Sequence, residues 1–82
     1  MSGEGPLILV IDDEPPIRRL LRTSLSAQRY RVAEAETAAE GIRRVRGDRP
    51  DAVILDLGLP DQDGLAVIRA LRAFSKVPII VL

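Results

Sequence analysis

Three aspartates carry the chemistry that this sequence can offer. Asp12 and Asp13 stand side by side directly after the apolar run Leu7–Ile11, and Asp56 closes a second apolar run, Ala52-Val53-Ile54-Leu55. Carboxylates that share a pocket repel one another, and without a compensating cation at least one is driven toward protonation. A hard divalent ion resolves the conflict, since Mg²⁺ takes oxygen ligands, keeps several waters and shares its site with phosphoryl groups. One carboxylate can then act as a nucleophile toward phosphorus, with the metal screening the oxygens of the transferred group. The composition leaves few other routes. The 82 residues include no cysteine and no histidine, which removes thiolate chemistry, disulfides, histidine acid–base catalysis and nearly every zinc site.

For the three acids to meet, the elements around them must bring two strand ends together. Leu7–Ile11 shows no inward/outward alternation, the mark of a strand covered on both faces. Glu14-Pro15-Pro16 then opens a helix in which Ile17, Leu20, Leu21 and Leu25 recur at helical spacing, with Arg18, Arg19 and Arg22 on the other side. Residues 30–35 read as a less apolar strand nearer an edge. Thr37-Ala38-Ala39-Glu40 is a capping box that opens a helix stopping near Gly47. Residues 51–57 form the second buried strand, 58–64 a turn-rich loop, and Leu65, Ile68 and Leu71 mark a third helix. Val77-Pro78-Ile79-Ile80-Val81-Leu82 is a last strand, its proline near the start where a missing N–H is tolerated.

The order β-α-β-α-β-α-β predicts a parallel, doubly wound sheet. In the flavodoxin-like winding the first and third strands are neighbours, and ligands sit outside their carboxyl ends, where the winding direction reverses. Asp12, Asp13 and Asp56 fall at those two ends. Each acid also has a simpler reading. Asp13 and Glu14 would be stabilising at any helix start, Asp56 can cap the turn that follows it, and Asp51, Asp61 and Asp63 read as turn residues.

Leu9-Val10-Ile11-Asp12-Asp13-Glu14, together with Asp56-Leu57-Gly58-Leu59-Pro60-Asp61-Gln62-Asp63-Gly64, resembles the receiver domain of two-component response regulators. Ile17-Arg18-Arg19-Leu20-Leu21-Arg22-Thr23, Glu34-Ala35-Glu36-Thr37 and the last strand extend the likeness over residues 7–82, most closely to receivers of OmpR-type winged-helix transcription factors. The resemblance implies a flavodoxin-like α/β fold with strand order 2-1-3-4. It implies Asp56 as the phosphoacceptor for a sensor histidine kinase, and Mg²⁺ held by Asp12, Asp13, Asp56 and the backbone carbonyl of Gly58. Pro60 and Gly64 then shape the rim. Ile17 and Leu20 match positions that meet the kinase, although both also fit a core stripe. Such a domain is a phosphoacceptor module rather than an enzyme.

In the family a Ser or Thr follows the fourth strand and a Lys follows the fifth, whereas this sequence ends at Leu82 and its sole lysine, Lys76, precedes the fourth strand. The expectation is the N-terminal two-thirds of one receiver domain over residues 1–82, with no output domain and without the switch. The alternative is a flavodoxin-like fold fragment with no signalling activity. In either case the aliphatic strand from Val77 to Leu82 invites self-association. Lys plus Arg and Asp plus Glu are each 12, a net charge of zero, so direct nucleic-acid binding is not expected. Arg43, Arg44, Arg46 and Arg49 read as helix-end cations. An acidic loop after the first strand does not suit FMN, and Asp12-Asp13-Glu14 lacks the spacing of a D-x-D-x-T phosphatase loop. No apolar run approaches the ~20 residues of a membrane span, and residues 1–5 show no basic-then-apolar leader, so a cytoplasmic location is expected.

Overall fold

The computed structural model describes residues 5–82; the leader reading of residues 1–4 lies outside them. The elements run β1 (Leu7–Ile11), α1 (Pro15–Ala27), β2 (Arg31–Ala35), α2 (Ala38–Asp48), β3 (Ala52–Leu55), α3 (Gly64–Arg72) and β4 (Ile79–Val81). All strand pairs are parallel, in the order β2-β1-β3-β4. The chain winds from β1 to one neighbour, β2, and then crosses back to the other, β3, so the reversal lies between β1 and β3.

The unbroken apolarity of β1 and β3 follows from burial on both faces. Leu9, Ile11, Val53 and Leu55 point into a core shared with Val45 of α2 and with Val67 and Leu71 of α3. Ile8, Val10 and Ile54 point the other way, against Leu21 and Leu25 of α1. Two helices therefore cover one face and a single helix the other. Gly41 lets α2 lie close to the sheet, since a Cβ there would stand 2.5 Å from the Ile11 side chain.

Several elements differ from the sequence reading. Leu20 does not join the α1 stripe. Leu21 and Leu25, four apart, face the sheet, and a neighbouring position is turned by about 100°, leaving Leu20 62% exposed. Arg18, assigned to the solvated side, is instead folded in, with only 13% of its side chain exposed. Helix α2 ends at Asp48, next to the expected stop near Gly47, but it is Arg49 that takes the left-handed capping position with φ 50°, a conformation usually given to glycine. The last strand is shorter than 77–82. Val77 is buried ahead of it, and Pro78 lies outside the ladder, where its carbonyl accepts from the Val53 amide.

Candidate functional site

The β1–β3 register places the acids. Ile11 pairs with Leu55, so Asp12 and Asp56 leave the sheet at the same level. The Asp56 amide donates to the Ile11 carbonyl at 3.0 Å, and the Asp12 amide donates to the Ala35 carbonyl of β2 at 3.0 Å. Carboxylate oxygens of Asp12, Asp13 and Asp56 lie within 4.8 Å of one another. The sequence reading placed these three together, and the structure brings them together. They differ in exposure: Asp12 is buried at 3%, Asp56 is half-buried and Asp13 is exposed.

Each acid is held in place. One Asp12 oxygen accepts from the Glu14 amide at 2.9 Å, so Asp12 rather than Glu14 satisfies the backbone entering α1; Glu14 makes no side-chain cap. Arg18 donates to the Asp12 carbonyl at 2.7 Å and to Glu34 at 3.2 Å, and Arg22 pairs with the second Glu34 oxygen at 2.7 Å. Glu34 thus gathers two arginines of α1 and fixes Arg18 under the Asp12 turn. At the other strand end, the Gly58 amide donates to Asp56 Oδ1 at 3.0 Å, which folds the following turn over the carboxylate. The loop then packs tightly: a Cβ at Gly64 would stand 2.0 Å from Leu57 Cδ2 and 2.8 Å from Leu57 Cα, so only glycine fits there.

The aspartates read as turn residues do more than form turns. Asp51 accepts from the Leu7 amide at 2.7 Å and ties the amino ends of β1 and β3. Asp63 caps α3 through the Ala66 amide at 2.9 Å. Asp61 accepts from the Ala38 and Ala39 amides of α2 at 2.9 and 3.0 Å. These two bonds hold its carboxyl below the ordinary aspartate value, the Ala38 bond contributing most. Arg18, Glu34 and Asp61 were missed as parts of the site because their partners are distant in sequence. Of the kinase-facing candidates, Leu20 is exposed and Ile17 half-buried. A cleft of about 570 Å³ lined by Arg46, Phe74 and Lys76, among others, lies at the amino ends of β3 and β4; none of its lining residues belongs to the acid site.

A doubly wound sheet with three carboxylates at its winding reversal defines an α/β module with an acidic crevice where such folds bind ligands. The chain matches the response regulator receiver domain over residues 8–82 and belongs to that family. Among curated relatives it is similar to the KDP operon transcriptional regulatory protein KdpE of Escherichia coli, 52% identical over 75 residues, covering 92% of this chain and 33% of that protein. It is also 50% identical over 76 residues to KdpE of Mycobacterium tuberculosis, covering 93% of this chain and 34% of the relative. The chain thus spans about a third of the length of these relatives. Among solved structures, it resembles the receiver domain of sensor histidine kinase PA1611 from Pseudomonas aeruginosa, with a magnesium ion in its active-site cleft. That match has a TM-score of 0.89 and 31% identity, over 94% of this chain and 66% of that one. It also resembles a chain in the complex of histidine kinase ThkA with response regulator TrrA, at a TM-score of 0.85 and 38% identity, over 93% of this chain and 66% of that one. No helix among the described residues is long and apolar enough to cross a membrane.

Proposed function

We propose that this receiver accepts a phosphoryl group on Asp56 from the phosphohistidine of a sensor kinase, in a reaction that depends on Mg²⁺. The observation that carries this reading is the convergence of the Asp12, Asp13 and Asp56 oxygens within 4.8 Å at the winding reversal. The donor set suits a hard divalent cation: all three side chains offer oxygen, and the exposed side at Asp13 leaves room for the waters that Mg²⁺ keeps. Asp12, Asp13, Asp56 and the Gly58 carbonyl would hold the ion, which when bound neutralises the clustered carboxylates and the phosphoryl oxygens.

The chain's own residues supply the rest. An Asp56 carboxylate oxygen attacks phosphorus, the P–N bond to the donor imidazole breaks, and its electron pair returns to the ring nitrogen. The product is an acyl phosphate on Asp56. The 82 residues hold no histidine, so the donor imidazole lies outside them. The Gly58 amide, already on Asp56 Oδ1, orients the carboxylate. Arg18 holds the Asp12 turn from below. The protein acts as a stoichiometric acceptor, and in a longer regulator the modification would govern transcription, as the names of its KdpE relatives suggest.

Intact mass after incubation with acetyl phosphate and Mg²⁺ tests this directly. One added phosphoryl group is expected, absent without Mg²⁺ and absent in Asp56→Asn; an unmodified, folded protein would overturn the reading.

A second property rests on the sheet edge. β4 pairs only with β3 among the described strands, and Ile80, Val81 and Leu82 are 56%, 45% and 58% exposed. We infer that this aliphatic edge supports self-association through strand pairing.

A further inference from the structure

We propose that Asp61 is a positioning residue for the acid site: by gripping the Ala38 and Ala39 amides, it holds the β3–α3 loop so that Asp56 and the Gly58 carbonyl stay beside Asp12 and Asp13. This inference rests on the phosphoacceptor reading for its consequence, but not for its geometry.

The loop of residues 56–63 begins with Asp56 and Gly58 and ends at the α3 cap, Asp63. Most of its hydrogen bonds are local: Gly58 to Asp56, Gly64 to the Leu57 carbonyl, and Ala66 to Asp63. Leu59, only 7% exposed, anchors the middle by apolar packing. Asp61 reaches a residue 23 positions away and joins the loop to a different helix.

α2 already caps itself without it. The Thr37 hydroxyl accepts from the Glu40 amide at 3.1 Å, and Glu40 accepts from the Glu36 amide at 3.1 Å. The first amides of a helix are otherwise left to water, and an anion there is favoured by the helix dipole. Asp61 takes those two free donors with both carboxylate oxygens, so the loop is held at two points rather than hinged on one.

The attachment also closes a ring around the site. The Asp12 amide bonds the Ala35 carbonyl, Ala35 leads within three residues into α2, α2 is gripped by Asp61, and Asp61 belongs to the loop that starts at Asp56. Asp56 in turn bonds the Ile11 carbonyl next to Asp12. The strand ladder fixes the acids on the sheet side, and the Asp61 grip fixes them on the loop side. Without that grip the Asp56–Gly58 turn keeps its strand anchor and the Leu59 packing but loses its hydrogen-bonded tie to α2.

The test compares wild type with two variants by amide-correlation NMR, through a Mg²⁺ titration and by hydrogen exchange. Asp61→Ala removes the acceptor. Ala39→Pro removes one donor while leaving the Asp61 charge in place; Ala39 is exposed, and α1 already begins with Pro15 and Pro16. Both variants should speed exchange of the Gly58 amide with β1 and β3 peaks unmoved. Mg²⁺ affinity should fall roughly tenfold in Asp61→Ala, the scale for outer contacts of a metal site, and in the same direction in Ala39→Pro. Unchanged Gly58 exchange in both variants would overturn the proposal, as would an affinity loss confined to Asp61→Ala, which would reflect charge alone. If wild type binds no Mg²⁺, the phosphoacceptor reading fails, while Gly58 exchange still decides whether Asp61 orders the loop.

Discussion

Asp12 shows how a buried acid is kept inside a fold. Its amide, its carbonyl and one carboxylate oxygen each have a partner, in Ala35, Arg18 and the Glu14 amide, which offsets much of the cost of burying polar groups at the strand end. Gly64 illustrates the opposite constraint, a position where any added atom meets backbone. Gly64→Ala should destabilise the protein by about 1–3 kcal/mol, the usual scale for overpacking, because Leu57 Cα would have to move. Urea unfolding would show this as a lower midpoint with an unchanged slope. A variant as stable as wild type would mean that the rim loop relaxes freely.

At the scale of elements, α2 is the helix to which the loop after Asp56 is tied, through Asp61. The sequence-level capping box is present with one change: Glu40 reaches the amide of Glu36, one residue before the cap, rather than that of Thr37. Thr37→Ala should cost about 1 kcal/mol. For a domain of this size that lowers Tm by about 4–8 °C, measurable by thermal circular dichroism. No change in Tm would mean that the Asp61 grip alone suffices to start α2. The strand and helix order was legible because β1 and β3 are continuously apolar and the helices carry 3.6-residue stripes. Ends were less legible. Arg49 could end α2 in a left-handed turn without being glycine, and Pro78 could sit outside β4 because its carbonyl, not its missing N–H, serves the sheet.

For the whole molecule, the uneven cover of the sheet is the dominant feature. α2 and α3 bury Leu9, Ile11, Val53 and Leu55 completely, whereas α1 alone has no fully buried residue. The β4 edge adds an aliphatic row open to pairing. Light scattering on the chain should show concentration-dependent association that Ile80→Lys suppresses, since a charge on an edge strand discourages pairing. A folded wild-type monomer persisting at high concentration would count against the edge as a contact surface.

Local pattern in the sequence was enough to determine the parallel α/β class and the position of the acid triad at two strand ends. These follow from apolar runs, turn residues and charge, all of which act within a few residues of one another. Tertiary structure alone decided what supports the triad. Arg18 and Glu34 lie 16 residues apart, and Asp61 and Ala38 lie 23 apart. Their meeting depends on how α1 and α2 seat on opposite faces of the sheet, and a side chain that reads as solvated in sequence becomes a brace only when another element closes over it.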